Sequence, residues 1–240
     1  MERRCVTCGG FSIVYDLERK AVRNLNLRVR PDRSVFVSAA PEREASQIDR
    51  FVASKAEFIR SALEQFARLE TLKPPPHRYV NGETFMILGR SVRLLVRRAT
   101  RNSIGCDGVF LRLKMSDTSD RAARGKVVSR WLSRTRREVF AQIVAEIYPV
   151  FGKYGVAYPA LRIRPMRTRW GSCLPQKGVI TLNSRLLEVP RSCAEYVVLH
   201  ELCHFLHPDH SRAFYACLTV FMPDWRQRKA ELEKWGAYEY

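Results

Sequence analysis

The sequence has no apolar run of the roughly 18 residues that a membrane-spanning helix needs. Its first residues, Met1–Cys5, lead into mixed polar sequence and lack the apolar segment of a secretory signal. Internal repeats and low-complexity tracts are also missing, and a hydrophobic fraction of 46% is typical of a folded globular protein. These absences argue against a membrane or secreted protein, and we expect a cytoplasmic location.

Acidic residues are scarce. The 240 residues include 24 Asp and Glu against 42 Lys and Arg, which gives a formal net charge of +18. A field of this sign speeds encounters with nucleic acid, nucleotides or acidic protein segments. Arg130, Arg134 and Arg137 recur at helical spacing and form one candidate stripe for nucleic acid. A solvated helix face explains the same stripe, so the charge leaves nucleic acid and an inert surface both open.

The cysteines form no recognisable framework. They number seven, an odd count spread along the chain, which favours a reduced compartment over a set of disulfides. Cys5 and Cys8 have the spacing of half a zinc site, but no second Cys-x-x-Cys pair completes it. The role of this pair stays open, with two exposed thiols as the alternative to a metal site.

The hydrophobic pattern changes along the chain from mostly strand to mostly helix. Apolar residues alternate over Phe11–Ser38, which predicts short antiparallel strands, and helical spacing follows over Glu42–Leu72. Strand patterns then return, and a long helix is predicted over Ser119–Phe151. We therefore predict an α+β fold in two regions. Residues 1–116 form a strand-rich region with one helix, and residues 117–240 form a helical region with a small antiparallel sheet.

Four of the five histidines lie in the segment His200-Glu201-Leu202-Cys203-His204-Phe205-Leu206-His207-Pro208-Asp209-His210. On a helix, His200 and His204 lie on one face and can bind the same metal ion. Glu201 follows the first ligand and can reach a metal-bound water without binding the metal itself, as in zinc hydrolases. The sequence therefore predicts one zinc ion per chain, with Glu201 as the catalytic residue.

Spacing alone leaves more than one candidate for the third metal ligand. Pro208 biases the chain out of helical geometry after His204, so that a turn can return His210 to the metal. We prefer His210 for this reason, with Glu231 or Glu233 on a downstream helix as the alternative.

The metal-binding helix has signals of its own. Ser192-Cys193-Ala194-Glu195 has the form of a capping box, which predicts that the helix begins there. Cys203 points about 100° away from His204 around the helix, and we interpret it as a small core residue. His207 is interpreted as a partly exposed imidazole and not as a ligand.

These motifs resemble those of the YgjP-like zinc metallopeptidase family, a relative of the SprT-like zincins. The resemblance is strongest over residues 160–236, where it rests on Arg169–Cys173, Ile180–Asn183, Tyr196–His204 and His210–Phe214. It implies a zincin-like catalytic region over residues 117–240. It also implies that His200, His204 and His210 are the zinc ligands and that Glu201 is the general base and acid.

The same resemblance suggests substrate contacts. Arg169 and Trp170 precede Gly171-Ser172, and the strand there would lie along the cleft, where zincin edge strands bind extended peptide by main-chain pairing. Asn183 would orient the substrate or support the metal ligands. As the alternative, Trp170 packs against the metal-binding helix and Arg169 binds a buried carbonyl.

The sequence thus predicts a zinc-dependent hydrolase, with peptide or unfolded protein as the first choice of substrate. A zinc-bound water activated by Glu201 could equally attack a phosphoanhydride, so hydrolysis of nucleoside triphosphates is an alternative. A nucleic-acid-associated protein with a structural zinc is a further alternative. Glu201 argues against it, because a closed structural site has no use for a carboxylate beside its ligand.

Overall fold

The computed structural model describes residues 1–30, 32–71, 76–166 and 168–236. The chain divides into two compact units, Met1–Pro75 and Pro76–Tyr240. Both combine strands and helices, and the predicted α+β class is confirmed. The predicted change of region near residue 117 falls inside the second unit and stays a prediction about domain organisation. The predicted helix end at Leu72 lies outside the described residues, and no described helix is long and apolar enough to cross a membrane.

The first unit is a four-stranded sheet with two helices. Its elements are β1 (Glu2–Cys8), β2 (Phe11–Arg19), β3 (Asn26–Val29), β4 (Val35–Ala39), α1 (Ala45–Ser54) and α2 (Ala56–Thr71). The strand order is β1-β2-β4-β3. The β2–β4 pair is parallel and the other two are antiparallel, so the prediction of antiparallel strands is wrong for that pair. The chain between β2 and β4 is long enough for the crossover that parallel pairing needs.

The second unit begins with a sheet of the same plan. Its strands are β5 (Thr84–Ile87), β6 (Arg90–Arg98), β7 (Ser103–Cys106) and β8 (Phe110–Met115). The order is β5-β6-β8-β7, again with a parallel central pair between antiparallel partners. The two sheets therefore repeat one topology, although the sequence has no visible repeat. Helix α3 (Arg121–Gly152) packs Val128 and Trp131 against the inner face of this second sheet.

The rest of the second unit contains a three-stranded sheet and three helices. Its elements are β9 (Ala160–Arg164), β10 (Gly171–Leu174), β11 (Val179–Asn183), α4 (Arg191–Cys203), α5 (Arg212–Phe221) and α6 (Trp225–Glu233). The strand order is β10-β11-β9. The sheet was expected to be antiparallel, but it is mixed, because β9 and β11 run parallel while β10 and β11 run antiparallel. The segment that contains β10 serves as the crossover between the parallel strands.

Helix α4 lies at the centre of this part of the fold. Ten of its 13 residues are buried, and it contacts α3, α5, α6 and the three-stranded sheet. A helix buried on most sides is typical of the middle of a core. Cys203 at its last turn is fully buried, which confirms its interpretation as a core residue.

Candidate metal centre

Two of the predicted ligands lie one turn apart on α4. His200 is 4% exposed and His204 is partly buried. The predicted capping box at Ser192 is wrong, because α4 begins at Arg191 after Pro190 and has no side-chain cap. The carboxylate of Glu195 instead accepts hydrogen bonds from Arg191 and Arg228, at 3.0 and 2.7 Å, so it is not available to cap the helix.

The chain then turns and brings the third histidine back. Helix α4 ends at Cys203, and Ser211 caps α5 by accepting a hydrogen bond from the backbone N–H of Phe214 at 3.4 Å. Between these two helix ends, the Nε2 atom of His210 comes to 3.0 Å from the Nε2 atom of His200. One ligand atom from each of His200, His204 and His210 lies within 4.8 Å of the others.

This arrangement fits a zinc ion. Zn–N bonds of about 2.0–2.1 Å in a tetrahedron place the ligand nitrogens about 3.3 Å apart, close to the observed separation of His200 and His210. The Nδ1–H group of His204 donates to the backbone carbonyl of His207 at 3.2 Å, which leaves Nε2 of His204 to face the metal. His207 thus contributes its backbone carbonyl to the orientation of a ligand.

Burial keeps the inner imidazoles neutral. It lowers the pKa of His200 to about 2, with a further contribution from the neighbouring His204 and His210. It also lowers the pKa of His204, against the opposing effect of the hydrogen bond to His207. A neutral imidazole is the form that binds a metal, so His200 and His204 need not lose a proton when a metal ion binds.

A phenylalanine lies beneath the three histidines. Phe214 is fully buried, and its ring centroid is 4.9 Å from that of His200, 4.7 Å from that of His204 and 4.8 Å from that of His210. The ring of Tyr215 stacks on His210 with centroids 6.2 Å apart. Sequence analysis did not assign a role to either ring, although the cap at Ser211 places Phe214 on the first turn of α5.

Glu201 is buried on α4, close to strand β10. Its side chain is 2% exposed. Burial raises the pKa of Cys173 on β10 to about 12, and the charge of Glu201 adds to this shift, so the two groups are close. Strand β10 is an edge strand and is hydrogen-bonded to β11 on one side. The catalytic carboxylate predicted from the sequence therefore lies beside a sheet edge.

The three predicted substrate contacts differ in exposure. Arg169 is exposed, whereas Trp170 is 1% exposed and packs in the core that includes α4. Asn183 is fully buried, and its Nδ2 group donates to the backbone carbonyls of Met166 and Arg169, each at 2.9 Å. Among these three residues, Arg169 is the one whose side chain is exposed to solvent. Asn183 binds the backbone of the loop that contains Arg169.

The alternative carboxylate ligands are engaged elsewhere. Glu231 forms an ion pair with Lys234 at 2.6 Å, and Glu233 lies 3.9 Å from Lys229. In the described part of the chain, the cluster of metal-ligand atoms consists of the three histidines. His210 is thus the residue that the fold brings to the other two.

Two further sequence patterns lie outside this centre. Cys5 is exposed, whereas Cys8 packs against the core of the first unit, so the two thiols lie on opposite faces of β1. All three arginines of the candidate stripe on α3 are exposed, and one of them, Arg134, lies 3.6 Å from Glu138. Their proposed contact with nucleic acid stays a prediction.

A buried helix bearing His-Glu-x-x-His, with a third histidine returned by the following turn, is the arrangement of a metal-dependent hydrolase. The model of the YgjP-like family, metallopeptidase domain, matches residues 23–235. The chain belongs to this metallopeptidase family and is a hydrolase.

Two solved structures are similar to part of the chain. The metallopeptidase zymogen of Pyrococcus abyssi abylysin is 19% identical with a TM-score of 0.38, over 42% of this chain and 97% of that one. The metallopeptidase zymogen of Methanocaldococcus jannaschii jannalysin is 21% identical with a TM-score of 0.35, over 40% of this chain and 94% of that one. No protein with a curated description matches the sequence.

Proposed function

We propose that the chain is a zinc-dependent metallopeptidase in which His200, His204 and His210 bind one zinc ion and Glu201 is the general base and acid. The observation that supports this most is the convergence of three imidazoles, whose ligand atoms lie within 4.8 Å of one another. The buried carboxylate of Glu201 lies on the same helix as His200. Three protein ligands leave a tetrahedral ion one open position, which is the pattern of a catalytic site and not of a closed structural one.

The donor set favours zinc among the common metals. Imidazole nitrogens suit zinc, whereas magnesium and calcium prefer sites built from oxygen ligands. When bound, zinc supplies a Lewis acid that polarises a carbonyl and makes water far more acidic. The chain supplies neutral imidazoles, orients one of them through the backbone carbonyl of His207, and places Phe214 beneath them.

Glu201 moves the proton in this proposal. Its carboxylate accepts a proton from the attacking water as the oxygen adds to the peptide carbonyl, and it then delivers that proton to the leaving nitrogen. Glu201 follows His200 directly on α4 and does not belong to the group of three ligand residues, so its carboxylate would be a base beside the bound ion and not a ligand. Burial of Glu201 excludes bulk water, which strengthens its electrostatic interaction with the reacting groups.

Strand β10 is proposed as the site at which an extended substrate binds. It lies at the edge of its sheet and, through Cys173, close to Glu201. An extended peptide can pair with such an edge by main-chain hydrogen bonds, which gives affinity with little dependence on sequence. Arg169 is exposed just before this strand and would contact the peptide, while Asn183 and Trp170 would hold the strand and its preceding loop in place.

The test of the metal site is its stoichiometry. Protein purified without added metal should contain about one equivalent of zinc by elemental analysis, and the double variant His200→Ala, His204→Ala should contain almost none. His207→Ala and His77→Ala are matched controls that should keep the metal, because neither side chain belongs to the ligand group. Full zinc content in the double variant would contradict the assignment.

The test of the substrate class compares two reactions. The zinc-loaded protein should cleave an unfolded protein such as reduced casein, and the cleavage should stop when a chelator removes the metal. The alternative, hydrolysis of nucleoside triphosphates, is tested by incubating the protein with a mixture of these nucleotides and measuring the release of phosphate or pyrophosphate. Metal-dependent hydrolysis of the nucleotides without cleavage of any polypeptide would replace the proposed peptidase activity with the alternative.

A further inference from the structure

The two four-stranded sheets share one topology but differ in the charge of their outward faces. In the first sheet, the charged residues that point away from the core are Arg3, Asp16, Glu18 and Arg28. They comprise two cations and two acids, and Arg3 is the direct cross-strand partner of Asp16. The charges of the strand residues on this outward face therefore balance, and Arg30, just after β3, adds a cation over the ring of Phe36 on the same face.

The second sheet has no such balance. Its outward charged residues are Arg93 and Arg97 on β6 and Arg112 and Lys114 on β8, and all four are exposed. We call these four residues the cationic face. Between residues 84 and 115 the chain has a single acidic residue, Asp107. The strands of the second sheet thus have a net positive charge on their outward face, whereas the charges on the strands of the first sheet balance.

Within the part of the chain that the structure describes, most of the cationic face lacks a counter-charge. Asp107 forms an ion pair with Arg112 at 2.7 Å. Among the described residues, no acidic group lies within ion-pair distance of Arg93, Arg97 or Lys114. Arg97 and Lys114 are direct neighbours across the parallel pair, so two side chains of like charge leave the same face from strands about 5 Å apart and repel each other. A bound polyanion would relieve that repulsion.

Apolar side chains lie between these cations. Leu95 is the cross-strand neighbour of Arg112, and Phe110 is the neighbour of Arg93. Both are partly exposed, and neither packs in the core beneath the sheet. The guanidinium of Arg112 lies 5.2 Å from the centroid of the Phe110 ring. Cations beside an aromatic ring on an exposed sheet face can bind phosphates and stack a base at the same time.

We propose that the cationic face, together with Phe110 and Leu95, binds single-stranded nucleic acid without regard to sequence. The unpaired cations would contact phosphates, and the Phe110 ring would stack on a base. An acidic protein segment would use the charges but would gain little from an exposed aromatic ring set between arginines. The site is separate from the residues proposed for hydrolysis and does not depend on them.

Binding of a labelled oligothymidylate of about 20 nucleotides, followed by fluorescence anisotropy at several salt concentrations, tests the proposal on the full-length protein. The triple variant Arg93→Gln, Arg97→Gln, Lys114→Gln should bind about tenfold or more weakly at about 50 mM salt. Its log–log salt dependence should be flatter by about two, because each neutralised phosphate contact contributes about 0.7 on a single strand.

The matched comparison neutralises the three exposed arginines of the candidate stripe on α3, so it distinguishes the sheet from the stripe as the surface that binds nucleic acid. Arg130→Gln, Arg134→Gln, Arg137→Gln removes the same net charge and should change the affinity by less than about threefold. An equal or larger loss in this control would overturn the assignment to the sheet, as would a wild-type protein that does not bind at about 50 mM salt. The zinc content of both triple variants should equal that of the wild type, which excludes misfolding.

Two further measurements identify the class of ligand. Phe110→Ala should weaken binding of the oligonucleotide about fivefold or more, because it removes a stacking surface while the charge stays the same. Polyglutamate at equal charge concentration should displace the oligonucleotide poorly. Efficient displacement by polyglutamate together with an unchanged affinity of Phe110→Ala would overturn the nucleic-acid proposal and indicate an acidic protein partner.

Discussion

Replacing Asn183 by alanine tests whether this residue supports the site or contacts substrate. Its Nδ2 group donates to the carbonyls of Met166 and Arg169, each at 2.9 Å, and its Oδ1 accepts from the N–H of Arg185 at 3.1 Å. Its Oδ1 also accepts from the N–H of Met166 at 3.4 Å, so the alanine variant leaves four backbone groups around a fully buried position without these bonds. At about 1–3 kcal/mol for each unsatisfied group, the free energy of unfolding should fall by about 4 kcal/mol.

The assay is chemical denaturation of the zinc-loaded protein, followed by far-ultraviolet circular dichroism, with Asn102→Ala as the control. Asn102 lies in the same unit and accepts a hydrogen bond from the N–H of Ser116, but it is exposed. Water can replace this bond, so the control should lose less than about 1 kcal/mol. An Asn183→Ala variant of unchanged stability whose KM alone rises would refute the supporting role and indicate direct contact with substrate.

Further predictions concern the metal, the thiols and acid stability. The ring of Tyr215 stacks on His210. Tyr215→Ala should therefore weaken zinc binding about tenfold in competition with a chelator, whereas Tyr215→Phe should bind zinc as the wild type does. Equal zinc affinities of the wild type and both variants would contradict this role. Burial raises the pKa of Cys173 to about 12, so iodoacetamide at pH 8 should label the exposed Cys106 long before Cys173. Equal rates of labelling, measured by mass spectrometry, would contradict the burial of the Cys173 thiol. Hydrogen bonding to Arg4 lowers the pKa of the Asp49 carboxyl. Its stabilisation is therefore present above about pH 4 and lost as the pH falls through the lowered pKa, and Asp49→Asn should destabilise the protein by about 1 kcal/mol at pH 7 but not at the acid limit.

The parts of the site that depend on local geometry were predictable from the sequence. His200 and His204 share a helix face because they are four residues apart, and Pro208 gives a local reason for the turn that returns His210. The position of Phe214 in contact with all three rings was not predicted, because it depends on the angle at which α5 leaves the turn.

The parts of the fold that depend on pairing between distant segments were less predictable. The alternation over β2 and β4 indicates strands but does not determine their relative direction, which depends on the crossover between them. Strand β1 was missed because its charged residues, Glu2, Arg3 and Arg4, obscure the apolar alternation of an edge strand. The start of α4 was mispredicted for a similar reason, since Arg228 from a helix more than 20 residues away engages Glu195.

The most direct test of the proposed mechanism is the activity and zinc content of Glu201→Gln. The variant keeps the shape of the side chain but cannot accept the proton, so zinc should stay at one equivalent while hydrolysis of unfolded protein falls roughly 10²–10⁴-fold. Glu195→Gln, on the same helix but in an ion pair with Arg228, is the control and should keep both zinc and activity. Hydrolysis by Glu201→Gln at the wild-type rate, with zinc retained, would contradict the role of Glu201 and with it the proposed mechanism.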